Sequence, residues 1–275
     1  MSEQPKWTSV MNNAGTYLYA VTRDEGATLP EDLKGVAGEG VRAITHAGLV
    51  AYVSTVPLDR FGEEPLRRSM EDLDWLGETA RAHHRVVEAV ARTAPTAPVR
   101  LVTVYSGEDQ IRELLDRRHD DFAETLGRIA DRQEWGVKAY VDPAAPPPAE
   151  AGEESATSPG LAYLKKRQAS LRSREETWRQ AAARGEHIHD VLKSVAVASQ
   201  RHRPQDPQLS GRAEWMILNG AYLVDLERGA EFARVVDGLR GEGIDVELTG
   251  PWAPYSFAAF AETPERPGGG TGDDA

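Results

Sequence analysis

Apolar and polar positions in the first half of the chain predict a strand, a hairpin, a helix and a further strand. Runs rich in β-branched and aromatic residues are typical of strands, and apolar residues every three or four positions are typical of a helix with one buried stripe. His46-Ala47-Gly48 is a connection short enough to force antiparallel pairing of its two strands. The predicted strands are 17–21, 41–45, 49–53 and 99–105, and the predicted helix runs from about 69 to 93.

A second helical region is predicted from about 107 to 132, with the charged run 117–121 bending or exposing it. A strand at 135–141 and a Pro-rich segment at 142–159 follow, and the latter is expected to be an exposed, mobile loop. The longest predicted helix covers about 160–200, which is more than one sheet can cover, so part of it should project. Gly185 is its expected weak point, because glycine disfavours a helix interior.

The last third of the chain carries the strongest hairpin signal and ends in an unusual aromatic segment. Asn219-Gly220 separates two short apolar runs, 215–218 and 221–224, which predicts a two-residue turn between strands. A helix at 231–239 and a strand at 244–248 then lead into Pro251-Trp-Ala-Pro-Tyr-Ser-Phe257. Proline cannot donate a sheet hydrogen bond, so this segment is predicted to be an edge or terminating strand.

Both halves therefore follow the order strand, connection, strand, strand, helix, strand. This is the βαββαβ plan of ferredoxin-like domains, with one helix degenerate in the first half. The predicted fold class is α+β, with two tandem ferredoxin-like domains, the second with a long helix. We expect an N-terminal domain at 15–133 and a C-terminal domain at 134–261, flanked by disordered residues 1–14 and 262–275.

Composition narrows the possible functions. The 275 residues carry a net charge of −12, which repels a phosphate backbone and excludes nucleic acid as an expected partner. No apolar run is long enough for a membrane span, and the N-terminus has no signal-peptide core. The absence of cysteine excludes disulfides and thiolate ligands and is compatible with a cytoplasmic location.

Candidate chemistry is sparse. His83 falls on the apolar stripe of the first predicted helix, which favours a hydrogen-bonded core or interface histidine over a catalytic one, and the adjacent His84 is wrongly spaced to share a metal with it. Nucleophile and phosphate-binding motifs are absent, and paired carboxylates occur in polar surroundings. We therefore predict no catalytic residue, no metal and no cofactor. A hydrolase using His83 or His84 with a carboxylate is the least favoured alternative.

Aromatic residues are more informative. An uncharged aromatic edge promotes adhesion unless it is covered or used, so Trp252 and Tyr255 must meet either the chain's own core or a partner. We expect Tyr255 to face the core and Trp252 to face a partner. The candidate partner-binding residues are Trp252, Pro254, Tyr255, Trp135, His83 and His84.

Six segments stand out in order from about residue 16 to 258: Tyr17-Leu-Tyr-Ala-Val21, His84-Arg-Val-Val-Glu88, Pro98-Val-Arg-Leu-Val-Thr-Val104, Glu134-Trp-Gly-Val-Lys138, Leu218-Asn-Gly-Ala-Tyr-Leu-Val224 and Gly250-Pro-Trp-Ala-Pro-Tyr-Ser-Phe257. Together they give the chain a resemblance to the gas vesicle protein GvpL/GvpF family. The family commonly has Arg-Phe-Gly-Thr where this chain has Arg100-Leu-Val-Thr103, so a glycine and an aromatic are lost and a plainer strand is expected.

The resemblance implies a two-domain α+β accessory protein of gas vesicle assembly, not an enzyme, located at the gas vesicle or in the cytoplasm. It implies contact with the small hydrophobic shell protein (GvpA-like) and with other accessory proteins. The alternative is a cytoplasmic ligand-binding regulatory protein, because tandem ferredoxin-like domains often bind small molecules. A thermal-shift screen against metabolites distinguishes the two, since specific stabilisation favours the alternative.

Overall fold

In the computed structural model, the described residues are 13–26, 28–142, 159–204, 212, 214–241 and 243–258, with the backbone alone described at 159–174. The expectations of disorder at 1–14 and 262–275 and of a mobile loop at 142–159 lie outside these residues, apart from 13, 14, 142 and 159. No helix in the described ranges combines the length and the apolar character needed to cross a membrane.

The chain divides into two compact units, each an antiparallel sheet with helices, so the predicted α+β class is confirmed. The first unit contains the residues up to Ala130 and returns at Ala253, whereas the second is the continuous stretch Asp131–Trp252. The sequence assigned 253–261 to the second domain. Ala253 and Tyr255 instead pack against the first core, which places the segment after Trp252 with the first unit.

The first unit has the sheet order β2-β3-β1-β4, with β5 also beside β1. Every residue of β1 from Gly15 to Thr22 is buried, as expected for a strand covered on both faces, and it contacts α3 and α5. Its elements are β1 (Ala14–Arg23), a 3-10 turn (Val36–Gly38), β2 (Arg42–His46), β3 (Leu49–Pro57), α1 (Leu58–Phe61), α2 (Glu63–Ser69), α3 (Leu73–Ala91), β4 (Ala97–Pro98), β5 (Val104–Tyr105), α4 (Glu108–Arg117) and α5 (His119–Ile129).

Helix α3 begins where its sequence provides a cap. The Asp72 carboxylate accepts hydrogen bonds from the N–H groups of Asp74 and Trp75, which would otherwise lack partners in the first turn. The predicted stripe is buried towards its end, at Val87 and Val90, whereas Leu73 at its start is 80% exposed. The predicted bend at 117–121 is confirmed, because the helical region breaks at Arg118 between α4 and α5.

The predicted strand 99–105 is wrong as a continuous element. Only Ala97–Pro98 and Val104–Tyr105 pair with β1, and the residues between them turn, with Val102 at φ 64°. A β-branched residue in the left-handed region is a rare outlier, so β-propensity predicted the wrong local conformation here. This is the position at which the family resemblance indicates glycine.

The second unit has the sheet order β7-β8-β6-β9, and α6 and α7 pack on one face of the sheet. Its core combines Ile188 and Leu192 of α6, Phe232 of α7, and the sheet residues Val137 and Tyr222. The elements are β6 (Arg132–Val141), α6 (Pro159–Val195), β7 (Ala198–Arg201), β8 (Trp215–Asp225), a 3-10 turn (Leu226–Arg228), α7 (Gly229–Gly238) and β9 (Ile244–Trp252).

The predicted hairpin at Asn219-Gly220 is wrong, because β8 runs without a turn through both residues. Gly220 is opposite Val137 of β6 and Arg201 of β7, so strand pairing on both sides holds this dipeptide extended against its turn preference. The missing strand comes from the end of the predicted long helix. Helix α6 stops at Val195, and Ala198–Arg201 form β7.

Gly185 is not a weak point of α6, which is continuous through it. A Cβ atom at this position would collide with the carbonyl oxygen of Ile217 in β8. The glycine therefore allows a close approach of helix and sheet backbone, a packing role that helix propensity does not report.

Candidate functional site

The aromatic segment Pro251–Phe257 is divided between the two units. Strand β9 ends at Trp252, and the following residues form a turn in which the N–H groups of Phe257 and Ala258 donate to the carbonyl of Pro254. The prolines therefore mark the end of a strand and the start of a turn. The segment contributes to two surfaces rather than to one.

Trp252 lies at the end of an edge strand, as the sequence predicts for this segment. Within the described residues β9 pairs with β6 alone, and Trp252 is opposite Glu134. Its side chain is 43% exposed, which few other large apolar side chains among the described residues match. An exposed indole at the end of an edge strand is suited to protein contact.

The first part of the β9 edge carries charge instead. Arg212 forms ion pairs with Asp245, at 2.7 Å, and with Glu247, and its guanidinium stacks 4.3 Å from the centre of the Tyr140 ring. Charged side chains on an edge strand oppose pairing with another chain. This cluster was missed by the sequence reasoning, because its members are far apart along the chain and share no motif.

Tyr255 and Pro254 belong to the first unit. Pro254 is buried, and Tyr255 packs against the first core with its ring 6.2 Å from that of His83 and 6.3 Å from that of His84. A guanidinium N–H of Arg128 donates to the carbonyl of Phe257 at 2.9 Å and holds the end of the turn. Tyr255 thus packs mainly within the protein.

His83 is the centre of a buried hydrogen-bond network. Its Nδ1 lies 3.0 Å from the Tyr17 hydroxyl, which accepts a hydrogen bond from the N–H of Val102 at 2.9 Å. Burial lowers the pKa of His83 to about 4, opposed in part by the carbonyl of Val99, and burial raises the pKa of Tyr17. His83 is therefore neutral near pH 7, and at 3% exposure it is a core residue.

The remaining candidates are separate from this network. His84 is partly buried beside Tyr255, and Trp135 packs on the second core with its ring 6.1 Å from Phe232. The structure thus brings His83, His84, Pro254 and Tyr255 into the first unit, whereas Trp135 and Trp252 belong to the second.

A second tyrosine–histidine contact occurs in the second unit. Nδ1 of His189 lies 2.9 Å from the hydroxyl of Tyr222, and burial lowers the pKa of the histidine and raises that of the tyrosine. Among the described residues, no group of three or more His, Asp or Glu is arranged to hold a metal ion. His83 and His189 therefore each lie within hydrogen-bond distance of a buried tyrosine hydroxyl.

Known proteins are similar to this chain in sequence and in fold over nearly its whole length. The family model for "Gas vesicle synthesis protein GvpL/GvpF" matches residues 15–259. Gas vesicle protein L of Streptomyces sp. (strain CB03234) is 45% identical, over 90% of this chain and 93% of its own length. Gas vesicle protein F of the same strain is 26% identical, over 88% and 98%.

The fold is similar to two crystal structures of the gas vesicle protein GvpF. The protein from Anabaena sp. PCC7120 matches with a TM-score of 0.63 at 21% identity, covering 90% of this chain and 98% of that one. The protein from Microcystis aeruginosa matches with a TM-score of 0.61 at 19% identity, covering 89% and 98%. With the sequence match across both units, these findings establish that the chain belongs to the GvpL/GvpF family of gas vesicle synthesis proteins.

Proposed function

We propose that this protein takes part in gas vesicle assembly by binding the small hydrophobic shell protein, and that Trp252 at the end of β9 is part of the contact. The family match supports the process, and the 43% exposure of an edge-strand tryptophan is the observation that carries the contact. Each unit has the strand order 2-3-1-4 of a ferredoxin-like domain, which supports the tandem arrangement as part of this proposal.

The physical need for such a contact follows from the shell protein itself. A subunit with a gas-facing apolar surface aggregates before assembly unless another protein masks that surface or orders its addition. The β9 edge offers backbone groups for strand addition, and Trp252 offers apolar area beside them. The charged cluster at Asp245 and Glu247 would confine the contact to the Trp252 end of the strand.

A binding assay with the purified shell protein tests the proposal. Trp252→Ala should weaken binding about tenfold or more, as expected for an interface tryptophan, while the unfolding midpoint stays near that of the parent protein. The control is Leu73→Ala, because Leu73 is 80% exposed in the first unit and its loss should leave binding unchanged.

Equal binding by Trp252→Ala and the parent protein would contradict the proposed contact. Tyr255 is a poor test residue for this purpose, because its ring packs against His83 and its removal would disturb the first core. A variant that loses binding because it unfolds is identified by circular dichroism and excluded from the comparison.

A further inference from the structure

Helix α6 is longer than the part of it that packs on the second sheet. Among its described side chains, the buried stripe begins at Ala181 and continues through Ile188 to Leu192. Glu175, Trp178 and their neighbours on the preceding turn are mostly exposed, and the helical backbone continues back to Pro159. About twenty residues of helix therefore precede the sheet-packing stripe, which we call the α6 arm (residues 159–180).

The arm differs in charge from the rest of the protein. Residues 161–179 contain six basic and two acidic residues, so this stretch carries +4 in a chain whose total is −12. By sequence spacing, Leu164 and Leu171 fall on the same helical row as Trp178. A row of large apolar residues within a basic helix is typical of a surface that receives another amphipathic segment.

Trp178 forms one wall of an open groove. Its side chain is 61% exposed, and its ring lies 6.3 Å from that of Trp215, the first residue of β8. Ala182, Glu175 and Arg179 also line the groove, and the last two form an ion pair at 3.2 Å. Tryptophan in such a groove provides a large rigid contact area, which makes Trp178 the expected energetic centre of the surface.

We propose that the α6 arm and the Trp178–Trp215 groove bind an acidic amphipathic helix of a partner protein. Charge complementarity identifies this occupant. Two copies of the chain meeting arm to arm would bring like charges together. An acidic helix instead pairs with the basic residues of the arm while its apolar face meets the leucine row and Trp178. The net charge of −12 repels nucleic acid and anionic membranes more than one short acidic helix, because these extended polyanions also face the acidic surface outside the arm. This surface is distinct from the Trp252 edge.

The test uses the full chain and a labelled synthetic peptide of about three heptads, with Leu at the a and d positions and Glu on the remaining face. A matched peptide with Lys in place of Glu is the control. Fluorescence anisotropy should show binding of the acidic peptide alone, weakening as salt is raised. Trp178→Ala should reduce affinity about tenfold or more.

Two further variants keep the test independent of folding and of the shell-protein proposal. Lys165→Glu with Lys166→Glu alters charge alone and should weaken binding severalfold with a smaller salt dependence. Trp252→Ala should bind the acidic peptide as the parent protein does. The proposal is overturned if both peptides bind equally, if Trp178→Ala binds unchanged, or if phosphatidylglycerol vesicles or duplex DNA bind more tightly than the acidic peptide.

Discussion

Gly185 lies at a close approach between α6 and β8, and replacing it with alanine separates two physical effects of opposite sign. Helix propensity alone predicts that Gly185→Ala stabilises the protein, by about 1 kcal/mol for a helix interior. Packing predicts the opposite, because the new methyl group would overlap the carbonyl oxygen of Ile217 and lie 3.2 Å from its carbonyl carbon.

The size of the expected stability loss depends on which part of the structure must move to make room for the methyl group. The methyl group meets backbone rather than the end of a flexible side chain, so relief requires α6 to shift away from the sheet. That shift would loosen the contacts of Ile188 and Leu192, which are buried in the second core. Overpacking of this kind costs about 1–3 kcal/mol, and after the propensity gain of about 1 kcal/mol we expect a net loss of up to about 2 kcal/mol.

Gly77 in α3 is the matched control. A Cβ atom there would meet only the mobile guanidinium of Arg81, at 3.3 Å, so Gly77→Ala should stabilise the first unit by about 0.5–1 kcal/mol. Urea unfolding of both variants, with hydrogen exchange to assign each change to its unit, measures the two effects. Stabilisation by Gly185→Ala equal to that of Gly77→Ala would refute the close approach.

Three more predictions concern the buried network of the first unit. Val102→Gly should be more stable than Val102→Ala by about 0.5–1 kcal/mol in urea unfolding. Glycine relieves a left-handed φ that costs other residues about 1–2 kcal/mol, and it loses part of that gain to the greater entropy of the unfolded chain. A more stable Val102→Ala variant would contradict this prediction. Tyr17→Phe should lower the free energy of unfolding by about 1–3 kcal/mol, because the Val102 N–H and His83 Nδ1 lose their hydrogen-bond partner. Unchanged stability in the same assay would show that this network does not contribute to folding. The lowered pKa of His83 makes stability depend on pH: its contribution is complete above the ordinary histidine pKa near 6.5 and is lost as pH falls toward about 4. Between about pH 7.5 and 5, the unfolding free energy of the parent protein should therefore fall by about 2 kcal/mol more than that of His83→Gln. Parallel stability profiles of the two proteins against pH would contradict the assignment.

Local periodicity was enough to predict elements whose neighbours agree with it. Helix α3 forms within its predicted range, and the β2–β3 hairpin forms around Ala47-Gly48, both of which have positive φ as this tight turn requires. The break between α4 and α5 also falls within the charged run that predicts it. In these places propensity, spacing and packing favour the same structure.

The failures occur where long-range pairing decides the conformation. Asn219-Gly220 would turn in isolation, but β6 and β7 hold it extended on both sides. The turn at Val102 gives no local signal, and its N–H is bound by a hydroxyl 85 residues away in sequence. The candidate surfaces have the same origin, since Trp178 and Trp215 are joined only by the packing of α6 on β8. Such contacts have no periodicity to read.

The division of Pro251–Phe257 explains why one short motif could be predicted as either core or contact surface. Trp252 completes a strand of the second unit and remains exposed, whereas Tyr255, three residues later, packs beside His83 in the first. The same motif therefore attaches the last described residues to one unit and presents an indole from the other. A substitution at Tyr255 should lower the stability of the first unit, and a substitution at Trp252 should affect partner binding, so the two aromatic residues should be tested separately.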